Sequence, residues 1–227
     1  LSGNRDDAPT PMGVAAADII AGTHLVQGIL AALFGRFTTG AGKLVEVNML
    51  ESLLDFQFEV LTCFYNDGQE LPERSAVNNG HAYIAAPYGI YKTGNGYLAL
   101  AMGNILDLGR LLGCDALLAF TNPGDWFDKR DEIKSLLRDF LLTRSVKEWL
   151  AILEPADIWC AEVLDYDALK QEEGYTVLEM EQEVSIGDGL LKTTRCPIRV
   201  DGELLNSPIG APALGEHTAA IKKEFNL

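Results

Sequence analysis

The first strong pattern in the sequence is that of a long helix. Apolar residues recur at steps of three and four over residues 18–36, which predicts a helix that is packed on most of its sides. Gly22 and Gly28 would weaken an isolated helix, so we expect them to allow close packing against a neighbouring element. The run 14–34 is long enough to cross a bilayer, but its polar residues favour the buried helix of a soluble protein. These polar residues are Asp18, Thr23, His24 and Gln27.

A turn, a strand and a second helix are predicted next. Residues 38–42 contain two glycines and indicate a turn, and residues 43–49 alternate like a short strand. Helical spacing returns over residues 50–65. Helix, turn, strand and helix in this order are typical of a wound α/β layer.

A polar stretch at 66–79 separates this layer from a smaller α+β block. Its predicted elements are strands 88–91 and 97–101, a glycine-containing hairpin turn at 92–96, and helices 105–112, 125–142 and 145–153. Ser145 and Glu148 form a capping-box pattern at the start of the last of these helices. Further along, a loop and short strand are predicted within 155–163, strands at 190–194 and 197–200, and a terminal helix after 211–218.

Composition narrows the possible partners. The chain has 227 residues, 48% of them hydrophobic, and a net charge of −15, so it can bury a substantial core. That negative charge argues against nucleic acid or an anionic membrane as a partner. Four cysteines lie far apart and there are only three histidines, a pattern of neither a disulfide framework nor a metal site. We therefore expect a cytoplasmic protein without a bound metal.

Asp18 is the candidate catalytic residue, and two interpretations of it remain open on position alone. Asp is a favoured N-cap of helices, so the side chain could have a purely structural role. A helix N-terminus also stabilises a reactive carboxylate, which would suit a nucleophile. His24 lies six residues further on, outside same-face spacing, and indicates a satisfied core histidine more than a general base. His81 and His217 are weaker candidates, and no glycine-rich phosphate loop is present.

Four ordered stretches resemble the class III CoA-transferases, a family that includes formyl-CoA transferase, carnitine CoA-transferase and, as a branch, α-methylacyl-CoA racemase. They are residues 18–33 (DIIAGTHLVQGILAAL), 36–51 (RFTTGAGKLVEVNMLE), 79–101 (NGHAYIAAPYGIYKTGNGYLALA) and 211–218 (APALGEHT). The resemblance implies that Asp18 is the nucleophile. In that family the matching aspartate attacks an acyl-CoA thioester to give a mixed anhydride, which CoA thiolate converts to an aspartyl-CoA thioester.

The resemblance also implies a fold and partners. The expected α/β fold has part of a Rossmann-like large domain and a small α+β domain, in an interlocked homodimer. The expected division is 1–70 as a large-domain segment, 71–155 as the small domain and 156–227 as a return to the large domain. The substrates would be an acyl-CoA, hence coenzyme A, and a carboxylic acid. The N-terminal half of the large domain, where the family binds most of the CoA nucleotide, is expected to be missing, so the CoA-binding residues stay unknown.

Two alternatives remain beside transfer of CoA. A 2-methylacyl-CoA racemase would use Asp18 as one of two bases for abstraction of the α-proton. The Asp18-to-Gly22 and Asp18-to-Gly28 spacings match the transferases instead. A shortened chain that cannot act alone is the other alternative. Formyl-CoA transferase has a glycine-rich loop over its aspartate, whereas this sequence has only Gly80 in residues 79–86, so we do not expect that loop here.

Overall fold

A computed structural model describes all 227 residues of the chain, which forms two compact units, Leu1–Val163 and Leu164–Leu227. The helices are α1 (Ala16–Thr39), α2 (Met49–Phe56), α3 (Phe58–Asn66), α4 (Ile105–Leu112), α5 (Asp125–Asp128), α6 (Arg130–Leu141), α7 (Val146–Leu153), α8 (Tyr166–Leu169), α9 (Glu173–Leu178) and α10 (Thr218–Phe225). The strands are β1 (Gly89–Lys92), β2 (Tyr97–Leu100), β3 (Cys160–Glu162), β4 (Glu181–Ile186), β5 (Gly189–Thr194), β6 (Arg199–Val200) and β7 (Glu203–Leu204). The division into 1–70, 71–155 and 156–227 stays a prediction.

The hydrophobic core of the first unit lies between a three-stranded antiparallel sheet, in the order β1-β2-β3, and helices α4, α6 and α7. Tyr91 and Leu98 point from the sheet into this core, where both are fully buried. Trp149 of α7 is also fully buried, and its ring nitrogen donates to the carbonyl of Leu141 at 2.9 Å. Because the indole N–H has a partner, this large side chain is buried without an unsatisfied polar group.

Several local sequence signals in this unit are confirmed. The hairpin between β1 and β2 pairs Gly89 with Leu100, and α4 spans the predicted residues 105–112. Ser145 accepts a hydrogen bond from the backbone N–H of Glu148, whose carboxylate accepts one from the N–H of Ser145. The predicted capping box is therefore confirmed.

Three predicted elements differ from the structure. The single helix over 50–65 is two helices, α2 and α3, interrupted at Gln57, and the single helix over 125–142 is interrupted at Lys129 between α5 and α6. The predicted strand over 43–49 is wrong, because residues 41–48 have no regular structure and α2 starts at Met49. An alternating pattern needs a neighbouring strand to form a ladder, and no strand of this chain pairs with these residues.

The polar face of α6 holds residues 73–79, which we call the linker segment, against the core. Arg130 donates to the carbonyl of Glu73 at 3.2 Å, and Asp131 accepts from the backbone N–H of Ala76 at 2.8 Å. Lys134 is fully buried and donates to the Ser75 hydroxyl at 2.9 Å and the Asn78 carbonyl at 3.3 Å. Burial, with a smaller contribution from the charge of Arg130, lowers the pKa of Lys134 to about 8.

The second unit contains two short antiparallel hairpins, β4–β5 and β6–β7. Sequence patterns predicted β5 and part of β6 but not β4. Arg195, only 4% exposed, donates to the carbonyls of Leu178, Glu179 and Cys196. A buried cation thus satisfies backbone acceptors at the end of α9, where the helix dipole is negative.

The lowered pKa of Lys134 predicts a pH-dependent stability. The amine loses its proton at about pH 8 in the folded chain but near 10.5 in the unfolded chain, so the unfolded state binds more protons between these values. The free energy of unfolding of the wild type, relative to Lys134→Met, should therefore rise by up to about 3 kcal/mol as the pH increases from 8 to 10.5. Denaturant titrations at several pH values measure this difference. Lys147→Met, at an exposed position of α7, is the control, and a constant difference between wild type and Lys134→Met would contradict the assignment.

Candidate active site

Asp18 lies in the first turn of α1 and is exposed. The N-cap is Ala15, and no side chain caps the helix, so the interpretation of Asp18 as an N-cap is wrong. The cap position lies three residues earlier because α1 starts at Ala16. The side-chain hydrogen bonds of α1 come from Thr23, His24 and Thr39, and the carboxylate of Asp18 takes part in none.

The position of Asp18 suits an anion. The first-turn N–H groups of a helix have no partner within the helix, and they give its N-terminus a partial positive charge. A carboxylate in that turn is stabilised as the anion, and so is an oxyanion that forms beside it. Asp18 is therefore exposed, lies at the positive end of a helix and has a carboxylate that no hydrogen bond within the chain occupies.

The prediction of a long helix is confirmed, but α1 is not packed on most of its sides within this chain. It contains no buried residue, and Val26, Leu30 and Phe37 are 56%, 60% and 90% exposed. α2 and residues 42–45 lie against α1, and most of its large apolar side chains remain exposed. By length and composition alone α1 could cross a bilayer, a test that core helices of soluble proteins also pass.

The two glycines of α1 have different surroundings. A Cβ on Gly28 would lie 2.7 Å from Cγ1 of Val45, which confirms the predicted close packing at this residue. A Cβ on Gly22 would meet nothing within 4 Å, so the same prediction is wrong for Gly22 within this chain. Gly28 therefore sets how closely residues 43–48 approach α1.

His24 bridges α1 and α2 through both of its ring nitrogens. Nδ1 lies 3.0 Å from the hydroxyl of Ser52, and Nε2 lies 3.2 Å from a carboxylate oxygen of Asp55. The expectation of a satisfied core histidine is confirmed for the hydrogen bonding but is wrong for the core, because the side chain is only half-buried on a helix with no buried residue. Its partners were not apparent from the sequence. Ser52 is only 2% exposed, so its hydroxyl is covered in this chain and has no open approach for a substrate, despite the serine–histidine–aspartate sequence of contacts.

The other histidines and the cysteines offer no comparable site. Nδ1 of His81 accepts from the N–H of Tyr83 at 3.1 Å, and Nε2 of His217 lies 3.9 Å from Glu216. All four cysteines are free thiols, and burial raises the pKa of Cys114 and of Cys160. A raised pKa disfavours the thiolate that nucleophilic cysteines need.

A groove of about 470 Å³ runs over the outer face of the β1-β2-β3 sheet. Tyr88, Ile90 and Trp159 are among its lining residues, and none of the lining side chains is charged. It therefore supplies no cation for the phosphates of coenzyme A. No group of three or more potential metal ligands occurs in the structure.

Comparison with known proteins identifies the family. The family model for CoA-transferase family III matches residues 1–218 of this chain. The chain belongs to this family. The resemblance of the four sequence stretches is thus confirmed.

Individual relatives agree with the family assignment. The chain is 26% identical over 232 residues to acetyl-CoA:oxalate CoA-transferase of Acetobacter aceti, covering 99% of this chain and 58% of that protein. It is 27% identical over 221 residues to human alpha-methylacyl-CoA racemase, covering 90% of this chain and 53% of that protein. This family III chain therefore spans little more than half the length of these relatives.

The fold agrees with solved structures of the family. A CaiB/BaiF family protein from Brucella suis superposes with a TM-score of 0.74 at 25% identity, covering 99% of this chain and 59% of that protein. The predicted α/β class III CoA-transferase fold is confirmed.

The two glycines of α1 should respond differently to alanine. Gly22→Ala should raise the free energy of unfolding by up to about 1 kcal/mol, because alanine favours the helix and meets no neighbour. Gly28→Ala should lower it by about 1 kcal/mol or more, because overlap with Val45 exceeds the same gain in helix propensity. Denaturant titration measures both. Val45→Ala should remove much of the penalty of Gly28→Ala, and equal effects of the two glycine substitutions would refute the packing difference.

Proposed function

We propose that the protein containing this chain transfers CoA from an acyl-CoA thioester to a carboxylic acid, with Asp18 as the nucleophile. The observation that carries the proposal is Asp18 itself: an exposed carboxylate in the first turn of α1, within the family motif, without a structural hydrogen bond. Membership of family III and relatives named as CoA-transferases support the reaction class.

The proposed reaction passes through covalent intermediates on Asp18. The carboxylate attacks the thioester carbonyl, the C–S bond breaks, and CoA leaves as the thiolate beside a mixed anhydride. The thiolate then attacks the Asp18 carbonyl, which releases the donor acid and leaves an aspartyl-CoA thioester. The acceptor carboxylate attacks this thioester, and the released thiolate takes the acceptor acyl group and frees Asp18. The division of one difficult exchange into easier covalent steps is the advantage of nucleophilic catalysis.

Three parts of the proposal concern the complete protein. An interlocked homodimer is proposed from the family resemblance, and the uncovered apolar surface of α1 is consistent with further contacts. Binding of the CoA nucleotide is proposed from the family resemblance to use residues outside this chain, and the groove over the β1-β2-β3 sheet has no cation for its phosphates. A cytoplasmic location is proposed because all four cysteines are free thiols.

Asp18→Asn in the complete protein should reduce the transfer rate by about 10³-fold or more, since an amide cannot act as the acyl-accepting nucleophile. Incubation with acetyl-CoA followed by borohydride or hydroxylamine should leave a mass change on the peptide with Asp18 in the wild type only. Asp107→Asn is the matched control, because Asp107 is another exposed aspartate in a first helical turn, that of α4. Full activity of Asp18→Asn would refute the nucleophile assignment.

Racemisation is the second candidate, and the similarity to human alpha-methylacyl-CoA racemase is the observation in its favour. A racemase abstracts the α-proton of its substrate, so solvent deuterium should appear at the α-carbon of a 2-methylacyl-CoA. The transferase proposal predicts no deuterium at that carbon and exchange of CoA between acids instead. Mass spectrometry of the recovered acyl-CoA distinguishes the two reactions.

Loss of both activities in the isolated chain, with transfer by the complete protein, would identify the chain as a part that cannot act alone.

A further inference from the structure

His24 is the only side chain of α1 that forms hydrogen bonds to another helix. The hydroxyls of Thr23 and Thr39 donate to carbonyls one turn earlier within α1 itself. The contacts of His24 with Ser52 and Asp55 both reach α2. All directional side-chain bonding between the two helices thus passes through one imidazole ring.

Ser52 and Asp55 both have hydrogen-bonding groups that suit the imidazole ring of His24. Ser52 and Asp55 are three residues apart in α2, so they lie on the same face of that helix. The serine hydroxyl can donate to or accept from Nδ1, and the Asp55 carboxylate accepts from Nε2–H. Both contacts therefore hold in the neutral and in the protonated ring. Asp55 is the only carboxylate within ion-pair distance of His24.

The contact with Ser52 is the stronger of the two. Ser52 is 2% exposed, whereas the side chain of Asp55 is 70% exposed. Solvent screens the ion pair with Asp55, while loss of the His24 contact would leave a buried serine hydroxyl without its partner. Of the two polar contacts of His24, the one at Nδ1 therefore contributes more to the position of α1 along α2.

Asp18 and His24 share the N-terminal part of α1. Six residues of helix separate them, an axial distance of roughly 9 Å. His24 therefore does not touch the carboxylate, and its effect on Asp18 passes through the rigid backbone of the helix. Because α1 contains no buried residue in this chain, its orientation depends on this polar contact together with the apolar contact with α2 and the packing of Gly28 on Val45.

We infer that His24 is a positioning residue for the proposed reaction. Its bond to the buried hydroxyl of Ser52 fixes α1 on α2 and thereby places the carboxylate of Asp18 for attack on the thioester. The inference rests on the proposed function, since it assumes that Asp18 is the nucleophile. It assigns to His24 neither proton transfer nor contact with the substrate.

Two substitutions of His24 separate the two contacts. The amide of asparagine takes the place of Nδ1 and can bond to Ser52, whereas the amide of glutamine lies near the place of Nε2 and reaches Asp55. His24→Gln should slow single-turnover acylation of Asp18 by acetyl-CoA or succinyl-CoA by about 10- to 100-fold, because displacement of a reacting group by about 1 Å has effects of this size. His24→Asn should stay within about threefold of the wild type. Asparagine is the poorer helix former, so helix propensity predicts the opposite order.

Substitutions on α2 test the same contact from the other side. Ser52→Ala should slow acylation as much as His24→Gln, and the double variant should be no slower than either, since one bond is lost in all three. Asp55→Asn should remain close to the wild type, because its amide oxygen still accepts from Nε2–H. Thr23→Ala is the control, since Thr23 neighbours His24 on α1 and bonds only within that helix. All variants are made in the complete protein, and the acylation rate is divided by the folded fraction measured by circular dichroism.

The outcomes separate the inference from the proposed function. If neither acyl-CoA labels Asp18 in the wild type, the proposed function fails and the inference fails with it. If the wild type is labelled and His24→Gln is labelled equally fast, only the inference is overturned. The inference is also overturned if the acylation rates of His24→Asn and His24→Gln fall equally and only in proportion to the folded fraction. His24 would then only stabilise the fold. Slow labelling by folded His24→Gln and Ser52→Ala, with rescue by His24→Asn, supports it.

Discussion

The buried amine of Lys134 is the interaction on which the arrangement of the first unit depends. It joins α6, part of the hydrophobic core, to the linker segment that follows α1, α2 and α3. The amine has two oxygen acceptors but no carboxylate within ion-pair distance, so burial is offset only in part and the pKa falls. Burial of this amine thus carries a local electrostatic cost, while its two hydrogen bonds hold the linker segment against the core.

The N-terminal helices have a different physical character from the core. Around Trp149, large side chains are fully buried and local signals decide the structure. On α1 the apolar residues are exposed, and its orientation rests on His24, on Gly28 against Val45, and on the apolar contact with α2. The proposed nucleophile is therefore carried by the part of the first unit that the chain itself packs least.

The sequence predicted what local interactions determine. The capping box of Ser145 and the hairpin after Lys92 depend on neighbouring residues, and both are confirmed. The strand at 43–49 failed because strand formation needs a partner that alternation cannot reveal. Asp18 was identified from its motif, yet its role as a cap was wrong because the exact start of α1 depends on backbone geometry. The partner of His24 could not be predicted, since Ser52 is 28 residues away and nothing in either residue specifies the contact.

The distance along α1 between His24 and Asp18 decides how much movement of the helix the proposed chemistry tolerates. A helix that pivots at His24 acts as a lever, and Asp18 lies roughly 9 Å along its arm. A tilt of about 5° at the pivot would move the carboxylate by about 0.8 Å, close to the displacement at which reacting groups lose their alignment. Small repacking of α2, far from any substrate, would therefore be amplified at the nucleophile. Residues that do not contact the acyl group must therefore keep their positions as accurately as those that do.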